Sequence, residues 1–97
     1  MLISLLCFDK PDHADLRRRL RPSHLEWIES TGVRLTFAGP MLSPDSKTAR
    51  GSIIIGEFTN LTDAEEFSKA DPYLIGGLFD HVIIQPTRQV YPETLEH

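Results

Sequence analysis

Three segments of the chain place apolar residues in consecutive positions over the length of a β-strand. Residues 2–8 read LISLLCF, residues 52–55 read SIII and residues 82–84 read VII. Successive side chains of a strand point to opposite faces of its sheet, so strands of this kind are apolar on both faces. A sheet built from them therefore needs cover on both sides.

The segments between these runs predict the cover of one face. Helical patterns occur over residues 13–30 and again from residue 62 to about residue 71. The resulting order is β-α-β-β-α-β, the ferredoxin-like arrangement of α+β proteins, in which two helices cover one face of an antiparallel sheet. The predicted strands are residues 2–8, 33–39, 52–58 and 79–86, and a short extra helical turn is predicted within residues 72–77.

The other face of this sheet predicts a homodimer. Two helices cover one face only, and a domain of this size leaves a large part of its surface in water. The simplest cover for a second apolar face is a second copy of the chain. We therefore predict that two copies pack through their sheets.

Local signals predict where the helices begin and where the chain forms a loop. Pro22 interrupts the first helical pattern, so it either kinks one helix or occupies the first position of a second helix. Thr62 and Glu65 form a capping box that would begin the other long helix. Residues 40–52, rich in Pro, Ser, Asp and Gly, are predicted to form a loop. The residues expected to face inward from the second helix are Leu61, Ala64 and Phe67.

Residues 1–94 are predicted to form a single domain, because no internal repeat or linker divides them. Leu95, Glu96 and His97 resemble the stub of an expression tag, which would take no part in fold or function. The single cysteine, Cys7, cannot form an internal disulfide. It lies among apolar residues, which predicts a buried and unreactive thiol.

Charge and composition argue against several classes of partner. The formal net charge is −4, whereas a general nucleic-acid binder presents a basic surface. The arginines within residues 17–21 fan around a helix, since successive residues rotate by ~100°, and we interpret them as mostly solvated. No segment approaches the ~18 apolar residues that cross a bilayer, and no signal peptide is recognised. These features predict a cytoplasmic protein without a nucleic-acid or membrane partner.

His24 is the first candidate for chemistry, because it lies between Leu20 and Ile28 on the apolar stripe of the first helix. On an unbroken helix it falls at the edge of that stripe. On a helix that begins at Pro22 it lies in the first turn, where the helix dipole disfavours an imidazolium. Both placements favour a neutral ring that can accept a proton near pH 7. The alternative is a half-buried histidine that makes one hydrogen bond to the backbone.

Asp71 is the second candidate. It precedes Pro72 at the end of the second helix, where an aspartate is a good N-cap for the turn that follows. Capping does not exclude catalysis. The two long helices lie on the same sheet face and their ends can approach, so Asp71 could orient His24 and raise its basicity.

Four further residues are candidate substrate contacts. Arg21 and Arg17 precede His24 by three and seven positions, so either could neutralise an anion if it turned inward. Tyr73 could donate a hydrogen bond to a ligand or merely pack with its hydroxyl at the rim. His81, near the start of the last strand, could belong to the surface or to a site. No histidine pair has metal-ligand spacing and no phosphate or dinucleotide fingerprint occurs, so neither a metal nor a cofactor is predicted.

Four stretches, in this order, resemble the YCII-related (YciI-like) family: MLISLLCFDKPD, RPSHLEWI, LTFAGPM and ADPYLIGGLFDHVIIQP. The resemblance spans about residues 1–90. It implies a ferredoxin-like, dimeric α+β barrel with an active site on a histidine and an aspartate, which match His24 and Asp71. One branch of the family removes chloride from a chlorinated hydroxyhydroquinone. The resemblance does not extend to the substrate, because the loop at residues 42–52 is where members would differ.

Two functions follow from these observations. In the first, His24 acts as general acid or base and Asp71 orients it, in a lyase or dehydrochlorinase acting on a cyclic or aromatic hydroxylated molecule. In the second, the chain is a non-catalytic dimeric domain that binds a small ligand. The second is kept because the sequence offers no activated nucleophile, metal motif or cofactor motif.

Overall fold

A computed structural model describes residues 1–93 and shows a four-stranded antiparallel sheet with three helices packed on one face. In the sheet the first and third strands of the chain are central and the second and fourth form the edges, which confirms the α+β, ferredoxin-like prediction. The predicted tag, residues 95–97, and residue 94 lie outside the described part of the chain. The elements are β1 (Leu2–Asp9), α1 (Ala14–Ser30), β2 (Leu35–Leu42), β3 (Ala49–Glu57), α2 (Leu61–Lys69), α3 (Pro72–Ile75) and β4 (Phe79–Pro86).

The central strand β1 shows why its apolar residues are consecutive. Ile3, Leu5 and Cys7 lie beneath the helices and are exposed by no more than 1%. Leu6 and Phe8, between them in the chain, point to the opposite face of the sheet. Burial raises the pKa of the Cys7 thiol to about 12, so the thiolate is scarce at neutral pH and the residue serves the core.

No helix of the described residues covers the second face of the sheet. Cross-strand pairing places Ile53 and Ile83 on either side of Leu6. Ile83 is 44% exposed and Phe37, on the edge strand β2, is 50% exposed. An apolar surface this continuous is unusual on a monomer. We call this surface the open face and define it by Leu6, Phe8, Phe37, Ile53, Ile55 and Ile83.

Of the two alternatives for Pro22, the structure shows the single helix: α1 runs from Ala14 to Ser30 with Pro22 inside it, and no second helix begins there. A proline within a helix removes one hydrogen bond, to the carbonyl four residues earlier. That carbonyl belongs to Arg18, which is exposed to water. His24 therefore lies within the helix and not in a first turn. Among residues 1–93 no helix has both the length and the apolarity that spanning a bilayer requires.

The predicted loop at residues 40–52 is largely strand. β2 continues to Leu42 and β3 begins at Ala49, and Pro40 pairs with Ser52 across the two strands. Proline fits here because β2 is an edge strand, where a missing N–H breaks no ladder on its outer side. Residues 43–48 form the remaining turn.

The second helix begins two residues earlier than predicted. Asn60, not Thr62, is its N-cap, and the Asn60 side chain accepts a hydrogen bond of 2.8 Å from the Asp63 N–H. Ala64 and Phe67 are buried as expected, but Leu61 is 39% exposed. The short turn predicted within residues 72–77 is confirmed as α3.

Candidate functional site

The structure brings His24 and Asp71 together, although 47 positions separate them in the chain. His24 Nδ1 lies 2.9 Å from Asp71 Oδ1, and the two side chains are exposed by 11% and 3%. A carboxylate accepts hydrogen bonds, so this contact favours the tautomer with the proton on Nδ1. Nε2 is then the ring nitrogen left free to exchange a proton with a ligand.

Asp71 also begins the short helix α3. The same Oδ1 accepts a hydrogen bond of 2.9 Å from the Tyr73 N–H, and Pro72 occupies the first helical position. The two sequence interpretations of Asp71 are therefore compatible, because one carboxylate caps a helix and contacts the imidazole. Its capping contacts hold the carboxylate in place, and the carboxylate in turn holds the ring.

Tyr73 lies between Arg17 and His24. Its ring stacks on the His24 ring with centroids 4.0 Å apart and planes 16° from parallel. The Arg17 guanidinium carbon lies 4.5 Å from the centre of the same tyrosine ring. Residues seven apart on a helix are separated by roughly 10 Å along its axis, which leaves room for one ring between two side chains. Burial raises the pKa of the Tyr73 phenol, so the hydroxyl keeps its proton and can donate a hydrogen bond.

Arg17 is turned inward and held by polar partners. The guanidinium donates to Ser52 Oγ at 2.6 Å and to the Gly51 carbonyl. Its Nε lies 3.5 Å from Asp9 Oδ2. The interpretation of residues 17–21 as a mostly solvated run is wrong at this position, since Arg17 is 6% exposed. A buried guanidinium needs such partners, because it remains charged in the protein interior.

Asp9, which pairs with Arg17, is incompletely hydrogen-bonded. Its side chain is exposed by only 6%, and among the described residues its Oδ1 has no hydrogen-bond partner. Burial raises the pKa of the Asp9 carboxyl, although the neighbouring Arg17 charge acts in the opposite direction. The pair therefore brings two desolvated charges to the end of β1, directly below α1.

A cleft of about 540 Å³ lies between α1 and the hairpin of β2 and β3. His24 and Tyr73 line the cleft on the helix side, and Ala38 and Pro40 of β2 line it on the strand side. The volume is within the range of small-molecule sites. The cationic residues that line it are Arg17, Arg18, Arg21 and Lys47.

Most of the residues singled out in the sequence meet in this cleft. Arg21 and Tyr73 line it together with His24, whereas His81 does not. His81 lies on the open face, where its ring stacks on Phe8 with centroids 4.5 Å apart. Within one chain it therefore lies on the other side of the sheet from His24.

Asp9 and Ser52 carried no sequence signal, although both contact Arg17 in the structure. Asp9 ends an apolar run, and Ser52 reads as the end of a polar loop. The sequence feature that could have identified Arg17 as a site residue is its spacing of two helical turns from His24, which places both side chains on one helix face. Within residues 1–93, no group of three His, Cys, Asp or Glu side chains is arranged to hold a metal ion.

The chain is similar to known bacterial proteins over most of its length. The protein YciI of Escherichia coli O6:H1 is 35% identical over 99 aligned positions, covering 94% of this chain and 100% of YciI. An uncharacterised protein of Haemophilus influenzae is 30% identical, over 86% of this chain and 92% of that protein.

A solved structure is also similar over most of its length. It is the 5-chloro-2-hydroxyhydroquinone dehydrochlorinase TftG of Burkholderia phenoliruptrix, in complex with 2,5-dihydroxybenzoquinone. The TM-score is 0.82 at 26% sequence identity, over 91% of this chain and 94% of TftG. The YCII-related domain matches residues 1–88. On the extent of that match and the identity to its relatives, this chain belongs to the YCII-related family.

Proposed function

We propose that the chain is a cytoplasmic enzyme that removes a leaving group from a hydroxylated cyclic or aromatic molecule, with His24 as general acid and base. The observation that carries the proposal is the contact of 2.9 Å between His24 Nδ1 and Asp71 Oδ1. The contact orients the imidazole, which lines the cleft, and leaves its Nε2 as the atom that can accept a proton from a ligand. The similarity to a dehydrochlorinase supports this class of reaction.

The chemistry needs only a positioned base and a stabilised anion. Nε2 of His24 would move the proton of one substrate hydroxyl to the ring carbon that bears the chlorine, which becomes tetrahedral. Loss of a second hydroxyl proton to Nε2 would then form a carbonyl, and the shifted ring electrons would expel chloride with the C–Cl bonding pair, so that HCl leaves and a hydroxyquinone remains. Asp71 would stabilise the imidazolium that forms. Tyr73, whose phenol stays protonated, would donate a hydrogen bond to the substrate oxygen, and Arg21 would offset its charge.

Chloride release from 5-chloro-2-hydroxyhydroquinone tests this proposal. We expect the purified chain to release one chloride per substrate consumed, followed with a chloride electrode. Binding of the same compound with no product formed would favour the alternative of a non-catalytic ligand-binding domain. One observation supports that alternative. Asp71 is the N-cap of α3, so its position is explained without a catalytic role.

Substitutions at Asp71 separate its structural role from its catalytic role. Asp71→Asn keeps an oxygen that can cap α3 and accept from His24, but it removes the negative charge. Asp71→Ala removes the acceptor from two N–H groups, those of Tyr73 and His24. We expect Asp71→Ala to lower the free energy of unfolding by about 2 kcal/mol more than Asp71→Asn does, measured by urea denaturation.

The same pair of variants tests catalysis. Asp71→Asn is expected to lose turnover even though it stays folded, because a neutral amide stabilises the imidazolium poorly. Wild-type turnover in Asp71→Asn, together with a large loss of stability in Asp71→Ala, would show that Asp71 is a helix cap and nothing more.

We also propose that the open face is the interface of a homodimer. The support is its continuous apolar surface, which the helices of the described chain leave uncovered. The helix face and its cleft would remain outside such an interface.

A further inference from the structure

We infer that the ligand of the cleft carries an oxyanion substituent, a carboxylate or a phosphate, that binds between Arg21 and Lys47. This inference rests on the proposed function and adds the charge of the substrate to it. The starting observation is the composition of the wall: of the described residues that line the cleft, four are arginine or lysine and none is aspartate or glutamate. The chain as a whole has a formal net charge of −4, so the cleft is positively charged although the protein is negatively charged overall.

Two of the four cations are already engaged by the protein. Arg17 is bound by Ser52, the Gly51 carbonyl and Asp9. Arg18 is paired with Asp15. Neither is fully available for a ligand.

Arg21 and Lys47 remain available, since neither makes an ion pair within residues 1–93. Arg21 lies on α1 three residues before His24, and therefore on the same helix face. Lys47 lies on the turn between β2 and β3, so the two cations approach the cleft from opposite walls. A ligand ring placed against His24 would share the cleft with both cations, and an anionic substituent on that ring would be attracted by both.

The turn that carries Lys47 is ordered by its own hydrogen bonds. Asp45 Oδ1 accepts from Ser43 Oγ at 2.5 Å and from the Lys47 N–H at 3.0 Å. The Thr48 N–H donates to Ser43 Oγ at 3.1 Å. The hydrogen bond from Ser43, reinforced by that from Lys47, lowers the pKa of the Asp45 carboxyl, so the acceptor that organises the turn stays ionised. The backbone of Lys47 is thus positioned before any ligand binds, which reduces the ordering cost of binding.

A guanidinium and an ammonium together favour a negatively charged ligand over a neutral ligand of the same shape. The arginine fork matches the two oxygens of a carboxylate or phosphate, and the lysine supplies a second positive charge. An amide of the same shape offers no charge to either group. The preference should therefore be electrostatic and should fall as the salt concentration rises.

Isothermal titration calorimetry with matched ligands tests the inference. We expect 2,5-dihydroxybenzoate to bind roughly tenfold more tightly than 2,5-dihydroxybenzamide at low ionic strength, which is the scale of one charge-assisted hydrogen bond. The ratio should decrease in 0.5 M salt, by screening. A third ligand, 4-hydroxyphenyl phosphate, distinguishes the two oxyanions, since the tighter of the two charged compounds identifies the class.

The variants Arg21→Gln and Lys47→Gln should each reduce the preference for the charged ligand. Lys69→Gln is the matched control, because Lys69 is exposed on α2 and pairs with Glu66, away from the cleft. Equal affinity for the benzoate and the benzamide overturns the inference, and so does an unchanged preference in both cleft variants. Failure of all three compounds to bind also overturns it.

These outcomes are distinct from those of the proposed function, because they depend on affinity and not on turnover. An anion preference without any product would overturn the enzyme and leave the oxyanion site intact. Turnover of an uncharged substrate, with equal affinity for the matched pair, would overturn the oxyanion site alone.

Discussion

His24→Asn is expected to lower kcat by roughly 10²- to 10⁴-fold, which is the usual contribution of a general acid or base. The asparagine side-chain nitrogen can take the place of Nδ1 and donate to Asp71, so the contact now made at 2.9 Å is kept. What the substitution removes is Nε2, the only ring atom that the proposed mechanism uses for proton transfer. The loss should appear in kcat for chloride release by a protein that still unfolds cooperatively, although the stacking of His24 on Tyr73 is lost.

His13→Asn provides the matched control for this experiment. His13 precedes α1 as its N-cap residue, without a side-chain capping hydrogen bond. Asparagine is a favoured N-cap, so the same substitution there should leave stability and turnover unchanged. A folded His24→Asn protein with wild-type kcat would contradict the assignment of His24 as the catalytic base.

The sheet and its helices are predictable because their signals are local and repeated along the chain. The consecutive apolar residues of β1 reflect a strand buried on one face by helices and left apolar on the other. The hairpin of β2 and β3 is not predictable in this way. Residues 40–42 and 49–52 look like loop by composition, but pairing such as that of Pro40 with Ser52 extends the strands. Tertiary pairing overrides local preference in such segments.

The candidate site could be predicted only in part. His24 and Asp71 stand out because a titratable group on an apolar stripe and an aspartate before proline are both visible in the sequence. The orientation of Arg17 is not visible, because its partners Ser52 and Asp9 come from other elements. The desolvation cost of a guanidinium is offset only where such partners converge, and convergence is a property of the fold.

The second large effect is expected at the open face, where Ile83→Glu should convert the proposed dimer to a monomer. In the proposed interface Ile83 is surrounded by apolar residues, among them Leu6 beside it on β1. Two-fold symmetry would bury the new carboxylate twice in each dimer, among the apolar side chains of the interface. We expect the dissociation constant to rise at least roughly 100-fold, because an unpaired buried carboxylate costs several kcal/mol. Sedimentation equilibrium at several protein concentrations measures the change.

Leu61→Glu is the control that isolates the open face. Leu61 is 39% exposed and Ile83 is 44% exposed, so the two substitutions place the same charge at positions of similar exposure. Leu61 lies at the start of α2, on the helix side of the sheet, where a glutamate is favoured by the helix dipole. The control should therefore remain a dimer. A monomeric wild type, or an Ile83→Glu protein that dimerises as tightly as Leu61→Glu, would require another cover for the open face. A monomeric Ile83→Glu protein that still releases chloride would locate each active site within one chain.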